Sequence, residues 1–372
     1  MSEESQNKSL EQEGAQQEPT KTANDTYVCP SCGAPMSFDP ATSKLRCTYC
    51  DTVIDINGEA SDEELSFDDL DEKEDISWKD AMTIFRCPNC GAENVAPKTS
   101  LSMVCPFCGS NQVIDNTSIV GMKPNRIVPF RIDSDKAVAN YQTWLKKKLL
   151  APHKIKVNIP KLVKAGVYIP CWTYDTSSFS TYQGRLGEHY TVTVGTGKDR
   201  HTETRTRYFY VSGTKQVVFD DVLVEASKKI AQKDLNSVAP YRTNEAVVYD
   251  ERYMAGFQSE HYSTTCKEGW TTAKQLMSPV IKNKILSDYR YDVVDYLNVK
   301  TQYANITYKY VLLPMWIGNY QWNSKTYSFI VNGESGRMTG SYPKSWLKIT
   351  ILVVLGLLIV SLLLYFILFY GE

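Results

Sequence analysis

Two copies of one cysteine pattern constrain this chain more than any other feature. Eight of its ten cysteines follow Cys-x2-Cys-x14-Cys-x2-Cys, and the second copy begins 58 residues after the first. Four thiolates at such spacing are the ligand set of a tetrahedral structural zinc site. A unit of about 30 residues buries too little apolar surface to fold without the metal. The sequence therefore predicts two zinc ribbons, each holding one Zn²⁺ ion, with these ligands: Cys29, Cys32, Cys47 and Cys50 in ribbon 1, and Cys87, Cys90, Cys105 and Cys108 in ribbon 2.

The competing interpretations of the cysteines are a disulfide framework and a redox or iron–sulfur site. The chain opens Met-Ser-Glu-Glu-Ser-Gln-Asn, without the apolar core of a signal peptide. We therefore expect a reducing compartment, where paired cysteines favour metal sites over disulfides. Cys171 and Cys266 lie outside the pattern, and we expect them to be buried or free thiols.

The residues around the cysteines support tight metal-binding turns. Gly33 and Gly91 follow the first pair of each ribbon and allow a backbone with positive φ. Cys47-Thr-Tyr-Cys-Asp51 has neither the proline nor the glycine of the other turns, so it is expected to be the least regular.

An apolar run near the C-terminus predicts a membrane span. Residues 349–370 contain no charge over 22 positions, which is about 33 Å of helix and enough to cross a hydrocarbon core. With Trp346 at the interface, the expected transmembrane helix is 346–370. Lys344 and Lys348 precede the uncharged run, so the positive-inside rule places the N-terminal bulk in the cytoplasm. We expect a single-pass, tail-anchored protein of the cell membrane.

The net charge of −1 conceals a strong partition along the chain. Residues 1–25 are predicted to be a disordered acidic tail, and residues 57–80 an acidic linker with ten acids and one lysine between 57 and 77. The linker separates ribbon 1 (26–56) from ribbon 2 (81–118). Leu65, Phe67 and Leu70 give the linker the character of a docking motif, although a solvated spacer is the favoured interpretation.

A lysine-rich segment follows the ribbons. Between Lys136 and Tyr174 there are eight lysines and no acid. Ser134 is the expected cap of a helix that ends near Leu150. Three interpretations stay open: a solvated helix face, self-association with the acidic linker, and contact with anionic lipid. The last would use Lys146, Lys147, Lys148, Lys154 and Lys156.

Residues 119–343 are expected to form one α+β cytoplasmic body. Alternating aromatic and β-branched residues predict a curved antiparallel sheet, and helical patterns occur at 222–233 and 269–288. Asn332-Gly333 predicts a turn. The predicted strands are 167–174, 190–194, 207–211, 216–219, 307–322 and 326–331.

Sequence motifs give no support for catalysis, and no catalytic or cofactor-binding residue is predicted. The chain has no Gly-x4-Gly-Lys-Ser/Thr loop, and its four histidines are far apart in sequence. Gly333-Glu-Ser-Gly336 lacks the setting of a nucleophile elbow. An enzyme with its site in the 119–343 body stays a minor alternative, for which a deep pocket with clustered titratable groups would be the sign.

The combination of these sequence features resembles a group of bacterial membrane proteins called TFIIB-type zinc-ribbon-containing proteins. Some members of that group are mislabelled as primosomal helicases. The resemblance rests on Phe85-Arg-Cys-Pro-Asn-Cys-Gly-Ala92, Gly166-Val-Tyr-Ile-Pro-Cys-Trp-Thr-Tyr-Asp175, Tyr310-Val-Leu-Leu-Pro-Met-Trp316 and Lys325-Thr-Tyr-Ser-Phe-Ile-Val-Asn-Gly333. Cys171 departs from it, because a larger or apolar residue is expected there. The helicase label is rejected, since the phosphate-binding loop is missing.

The resemblance implies a membrane recruiter, because some similar proteins look like recruiters that are encoded beside phage-shock-protein-A-like (PspA-like) and SPFH-domain scaffolds and engaged in envelope stress. Only the eight zinc cysteines are carried over as site residues. Together with the near-neutral ribbons, this favours a membrane-anchored cytoplasmic adaptor that recruits proteins through its ribbons. A membrane-tethered nucleic-acid-binding protein is the alternative, although such binding requires a basic surface that neither ribbon has.

Overall fold

A computed structural model of the chain describes residues 20–21, 27–56, 58, 63–70, 82–97, 102–113, 117–118, 121–157 and 163–370. The predicted disordered tail therefore lies outside the described residues except at 20–21. The linker is described only at residue 58 and at residues 63–70.

The first part of the chain forms short strands, which build the ribbons and the connections to the body. They are β1 (Thr20–Lys21), β2 (Tyr27–Val28), β3 (Met36–Asp39), β4 (Lys44–Cys47), β5 (Val53–Ile54), β6 (Leu65–Ser66), β7 (Met82–Arg86), β8 (Glu93–Pro97), β9 (Ser102–Val104), β10 (Asn111–Val113), β11 (Thr117–Ser118) and β12 (Arg126–Ile127).

The body contains three strands of 25 to 32 residues, which are far longer than the predicted ones. Among the described residues, three short 3₁₀ helices lie between the other elements. The strands and α-helices are α1 (Ser134–Lys146), α2 (His153–Val157), β13 (Val163–Val194), β14 (His201–Glu225), α3 (Gln232–Val238), β15 (Val247–Val248), β16 (Gln258–Glu260), α4 (Cys266–Leu286), β17 (Val293–Trp322), β18 (Lys325–Asn332), β19 (Met338–Gly340) and α5 (Trp346–Tyr370).

The sheet is centred on β13. One edge of β13 pairs antiparallel with β17, and the other pairs with β14 and, over two residues, with β16. The outer edge of β17 pairs in turn with β6, β12 and β18. The predicted α+β class with a sheet-rich body, two four-cysteine units and a C-terminal apolar helix is confirmed.

Alternation along β13 explains why both faces of the sheet are covered. Tyr168, Trp172 and Tyr174 point into an aromatic core on one face, whereas Val167 and Ile169 point into an aliphatic core on the other. Helix α4 covers the first face, and α3 packs on the second. Gly269 in α4 allows this approach, because a Cβ there would lie 2.5 Å from the Tyr174 hydroxyl.

The outer halves of the three long strands project as an arm, formed by residues 176–194, 201–219 and 293–304. Nineteen residues of strand span about 60 Å. Helix α4 lies along one face of this arm, with its buried side chains at helical spacing. Its end is held by the hydrogen bond between the Tyr182 and Tyr289 hydroxyls at 2.8 Å and by Lys215–Asp288.

Two of the helix predictions need correction. The expected helix at 222–233 is wrong: residues 222–225 end β14, because they pair with β13, and α3 begins at Gln232. The predicted cap of α1 is wrong by one residue: Asp133, not Ser134, caps the helix by accepting from the Lys136 N–H at 2.7 Å, and the helix ends at Lys146 instead of near Leu150. The 269–288 pattern is confirmed as α4, which starts at a capping box formed by Thr265 and Glu268.

The turn expected at Asn332-Gly333 is wider than a two-residue hairpin turn. Asn332 N–H donates to the Arg337 carbonyl, and the positive φ falls at Gly336. The two-residue hairpin turn is instead Asn323-Ser324, where both residues have positive φ between β17 and β18.

The ribbons and the described part of the linker pack against the body. In ribbon 2, β8 pairs with β16, which itself pairs with β13, so the ribbon hairpin extends the main sheet. Ribbon 1 contacts the body through Phe38, whose N–H donates to the Ala255 carbonyl and whose ring packs on Tyr253. Residues 65–66 pair with β17, so this part of the linker is docked and the solvated-spacer interpretation does not hold for it.

Helix α5 is the apolar C-terminal segment. The most apolar 18-residue window within Trp346–Phe366 has a mean hydropathy of 2.9, and none of that window is buried against the protein. The helix is long and apolar enough to span a membrane, as predicted.

Candidate metal centres and a buried ion cluster

Each ribbon holds its cysteines on two turns of matching geometry. In each of the four turns, the backbone N–H of the residue four positions after the first cysteine donates to the carbonyl of that cysteine. The donor residues are Gly33, Asp51, Gly91 and Gly109. All four donor residues have positive φ, at 75, 60, 71 and 72 degrees respectively. The positive φ that favours glycine at three turns is therefore taken by an aspartate at the fourth.

Asp51 explains why the turn without glycine keeps the same shape. Aspartate enters the left-handed region more readily than most residues. Its carboxylate accepts from Arg46 at 2.8 Å, which fixes the side chain beside the turn. The expectation that this turn is the least regular is wrong for its backbone.

The sulfur atoms lie at the separations that a tetrahedral metal site requires. The Sγ–Sγ distances are 3.5 Å for Cys29–Cys50, 3.5 Å for Cys32–Cys47, 3.7 Å for Cys87–Cys108 and 3.6 Å for Cys90–Cys105. Zinc–sulfur bonds of about 2.3 Å place tetrahedral ligands about 3.8 Å apart, whereas a disulfide needs about 2.05 Å. Both four-cysteine groups therefore fit a metal ion, and all eight predicted ligands are brought together as two sets.

Two thiols in each ribbon have a lowered pKa: Cys29 and Cys50 in ribbon 1, and Cys87 and Cys108 in ribbon 2. Burial raises the pKa of Cys29, but the N–H groups of Cys32 and Ser31 outweigh it, and the pKa falls to about 6. Burial likewise raises the pKa of Cys108, but the Ser110 hydroxyl and the Asn89 side chain lower it to about 6. Because thiolates are the metal ligands, a lowered pKa at these cysteines favours metal binding.

Hydroxyl groups support both sites, and cysteine spacing alone does not reveal them. Thr52 Oγ1 lies 3.1 Å from Cys50 Sγ, and Ser110 Oγ lies 3.0 Å from Cys108 Sγ. The 58-residue offset that aligns the cysteines also aligns Thr52 with Ser110. Extending the repeat beyond the cysteines would have found these outer-shell partners.

The two cysteines outside the pattern are both buried and belong to neither metal set. Burial raises the pKa of Cys171 well above its usual value, so this thiol stays protonated in the core. This agrees with the expectation of buried thiols.

The structure also assembles a buried ion cluster, which was not predicted from the sequence. Lys309 Nζ lies 3.1 Å from a Glu64 carboxylate oxygen and 3.0 Å from one of Asp221, and its side chain is only 3% exposed. Asp175 joins them, and the three carboxylates lie within 4.8 Å of one another. The Lys309 ammonium supplies a cation within this acidic group.

Hydrogen bonds and a proton complete the cluster. Thr307 Oγ1 donates to Glu64, and Thr243 Oγ1 donates to Asp221 at 2.6 Å. Burial raises the pKa of Asp175 to about 8, and its hydrogen bond with Glu64 adds to this shift. One ammonium and one retained proton therefore offset two of the three carboxylate charges near neutral pH and leave the cluster with a net charge of −1.

Glu64 makes this cluster part of the linker's docking. Beside it in the chain, β6 pairs with β17, and Phe67 packs on Trp270 and Tyr308. A sequence signal existed: Lys309 is the lone charge inside Tyr308-Lys-Tyr-Val-Leu-Leu-Pro314, and Asp175 directly follows an apolar strand. A charge inside a buried run needs a partner.

The basic side chains on the surface of ribbon 1 are paired with carboxylates. In ribbon 1, Lys44 lies 2.5 Å from Asp55, and Arg46 contacts both Asp51 and Asp39. In ribbon 2, the Cys90 carbonyl accepts from Lys229 of the body. The two basic side chains of ribbon 1 are therefore each beside a carboxylate.

Comparison with known proteins gives one relative without a described activity. The chain is 26% identical over 322 residues to the uncharacterized protein YdjG of Bacillus subtilis (strain 168), a match that spans 86% of this chain and 90% of that protein. No family model and no solved structure matches the chain.

Proposed function

We propose that this protein is a membrane-anchored adaptor, whose two ribbons each bind one structural Zn²⁺ ion and whose ribbon 1 recruits protein partners. The observation that carries the proposal is the closed ligand set: in each ribbon four sulfur atoms lie at tetrahedral separations. Catalytic zinc sites keep one position open, whereas sites with four protein ligands are structural. Bound zinc would crosslink the two turns of each ribbon and so stabilise the ribbon fold. The four-cysteine groups are therefore assigned a structural role and no catalytic step.

The two ribbons differ in what they leave exposed. Ribbon 2 extends the main sheet, and its Phe107 packs against the aliphatic core while its carbonyl accepts from Asn319 at 2.9 Å. Ribbon 1 exposes Tyr49, which is 76% accessible, and Val53, which at 45% is as accessible as Val104 of ribbon 2. Exposed aromatic side chains are typical anchors of protein interfaces. We therefore assign a supporting role to ribbon 2 and the recruiting surface to ribbon 1.

The anchor sets the orientation of this surface. Helix α5 is apolar over its length, and Lys344 and Lys348 lie at its N-terminal end. The positive-inside rule favours the ribbons and the body on the cytoplasmic side. A reducing cytoplasm would also keep the eight cysteines available for zinc.

Charge pairing weighs against nucleic-acid binding. Phosphate contacts require unneutralised basic side chains, yet Lys44 and Arg46 both lie beside carboxylates. Protein partners are favoured, and the family resemblance suggests PspA-like or SPFH-domain scaffolds and a role in envelope stress.

The test is a crosslinking pull-down from native membranes with Tyr49→Ala/Val53→Ser. These side chains are exposed, so the variant is expected to fold and to retain two zinc ions. We expect proteins captured by the wild type to be lost or reduced at least about ten-fold, as for removal of an aromatic interface anchor.

The matched control is Tyr210→Ala/Val218→Ser, which removes an exposed tyrosine and an exposed valine from the arm. It should capture the same partners as the wild type. If the ribbon 1 variant captures those proteins in wild-type amounts, recruitment by ribbon 1 is refuted.

A further inference from the structure

The segment that connects α1 to α2 is attached to the start of the membrane helix. The Ser345 N–H donates to the Leu150 carbonyl at 2.8 Å. Lys348 Nζ donates to the carbonyls of Leu149 at 3.1 Å and Ala151 at 2.8 Å. These contacts fix residues 149–151 beside the first turn of α5, whatever the position of the rest of the body.

The lysines of this segment are consequently gathered at one end of the membrane helix. Lys146, Lys147 and Lys154 are exposed. Lys148 lies 4.2 Å from the centre of the Trp144 ring, and Lys156 donates to the Lys146 carbonyl at 3.0 Å. These two contacts hold the side chains of Lys148 and Lys156 beside Lys146. The sequence has no acid between Lys136 and Tyr174 to offset their charge.

Apolar side chains accompany the lysines at this position. Leu149 is 67% exposed, and Trp346 and Leu347 at the start of α5 are 81% and 69% exposed. Tryptophan beside lysine is the composition of a membrane–water interface. Exposed leucine in the same place is suited to the boundary between headgroups and acyl chains.

The acidic linker is a weaker candidate for neutralising these lysines. In its described part, Glu63 and Glu64 already contact Arg126 and Lys309 respectively. A purely solvated helix face does not explain why the segment is hydrogen-bonded to the membrane helix.

We propose that Lys146, Lys147, Lys148, Lys154 and Lys156 form a binding surface for anionic phospholipid headgroups in the leaflet that α5 enters. The proposal rests on the membrane anchoring proposed above and adds the lipid class. Each lysine near an anionic surface strengthens binding by about five-fold. The surface would hold the body close to the bilayer at its α1–α2 end.

Native mass spectrometry of the full-length protein in a nonionic detergent tests this proposal. The protein is incubated with equal amounts of phosphatidylglycerol and phosphatidylcholine, and the retained lipids are counted. We expect the wild type to retain more phosphatidylglycerol, and the preference to fall with added salt as charge screening increases.

Two triple variants with equal charge change provide the comparison. K146Q/K147Q/K154Q removes the three exposed lysines of the surface, and we expect at least about a ten-fold loss of the phosphatidylglycerol preference. K267Q/K282Q/K284Q removes three exposed lysines of α4 and should keep the preference. Thermal unfolding of each variant verifies that the fold is intact.

Equal lipid preference in the wild type and K146Q/K147Q/K154Q would overturn the proposal, as would an equal loss in both triple variants. Membrane anchoring is measured separately, by carbonate extraction of the full-length protein from membranes. Release by carbonate would refute the anchoring itself, whereas retention with no lipid preference would refute only the lipid surface.

Discussion

Lys309 shows how one buried charge joins distant parts of the chain. Its ammonium contacts Glu64 of the linker and Asp221 at the end region of β14, while β17 holds its backbone. Such a group is not strong evidence for stability, because desolvation offsets much of the attraction. Removing one partner, in contrast, lowers stability strongly, because the remaining charged groups stay buried without compensation.

We predict that Lys309→Met lowers the free energy of unfolding by about 3 to 5 kcal/mol, because the carboxylates of Glu64 and Asp221 lose their cation. Urea unfolding of the full chain in detergent micelles, followed by tryptophan fluorescence, measures this. Lys215→Met is the control: Lys215 pairs with the partly exposed Asp288, so its loss should cost about 1 kcal/mol or less. Equal effects of both substitutions would contradict the assigned role of the cluster.

Asp175 predicts how stability depends on pH. Its pKa is raised by burial from 3.8 to about 8, so the folded protein retains a proton that the unfolded chain releases. This contribution is fully present below pH 3.8 and is lost as the pH rises through about 8. We expect Asp175→Asn to flatten the fall in the free energy of unfolding between pH 3.8 and about 8, measured by urea unfolding.

In Asp175→Asn, the free energy of unfolding should still fall somewhat with rising pH because of Glu260. Burial also raises the pKa of Glu260 to about 8. The upper limit for one proton is about 1.4 kcal/mol per pH unit. If Asp175→Asn keeps the whole wild-type slope, Asp175 does not hold the proton.

At the scale of elements, the ribbons differ in how they connect to the sheet. Ribbon 2 shares backbone hydrogen bonds with the body through β8 and β16, whereas ribbon 1 relies mainly on Phe38 and its neighbours. Loss of metal from ribbon 2 should therefore disturb the main sheet, whereas loss of metal from ribbon 1 should not.

We predict that Cys29→Ser/Cys32→Ser and Cys87→Ser/Cys90→Ser each reduce the bound zinc from two ions to one, measured by elemental analysis. Structural zinc supplies about 10 kcal/mol or more of folding free energy to a small unit. Only the ribbon 2 variant should accelerate hydrogen exchange at Gln258–Glu260, because β16 loses its neighbour β8. Equal protection of β16 in both variants would contradict this division.

The elements also show what the sequence could and could not predict. Helix α4 was predictable because its buried residues recur at helical spacing and Thr265–Glu268 caps it. The 222–233 helix was wrong because pairing with β13 overrides local helical preference. In the arm, Ser178 and Ser180 are buried although they are polar. Their strand therefore lacks the alternation of apolar residues that marked the body strands.

The same distinction holds for the sites. The cysteine spacing predicted both metal ligand sets, because all ligands of each set are local in sequence. The ion cluster joins residues 64, 175, 221 and 309 from different elements, so only the fold brings them together.

For the whole molecule, the apolar helix and the lysines before it predict orientation. We expect trypsin added to intact spheroplasts to leave the ribbons and the body uncut, and trypsin added to lysed membranes to cut exposed sites such as Arg200 and Arg205. Immunoblotting of the N-terminal part measures both. Cleavage of the body in intact spheroplasts would place it on the opposite side of the membrane.

The pairing of β8 with β16 carries a consequence for biosynthesis. The two strands are separated by about 160 residues, which a ribosome adds in roughly 10 to 30 seconds. Ribbon 2 is complete, and able to take up its metal, before β16 exists. Metal binding during translation therefore decides whether β8 is already formed when β16 is synthesised and pairs with it.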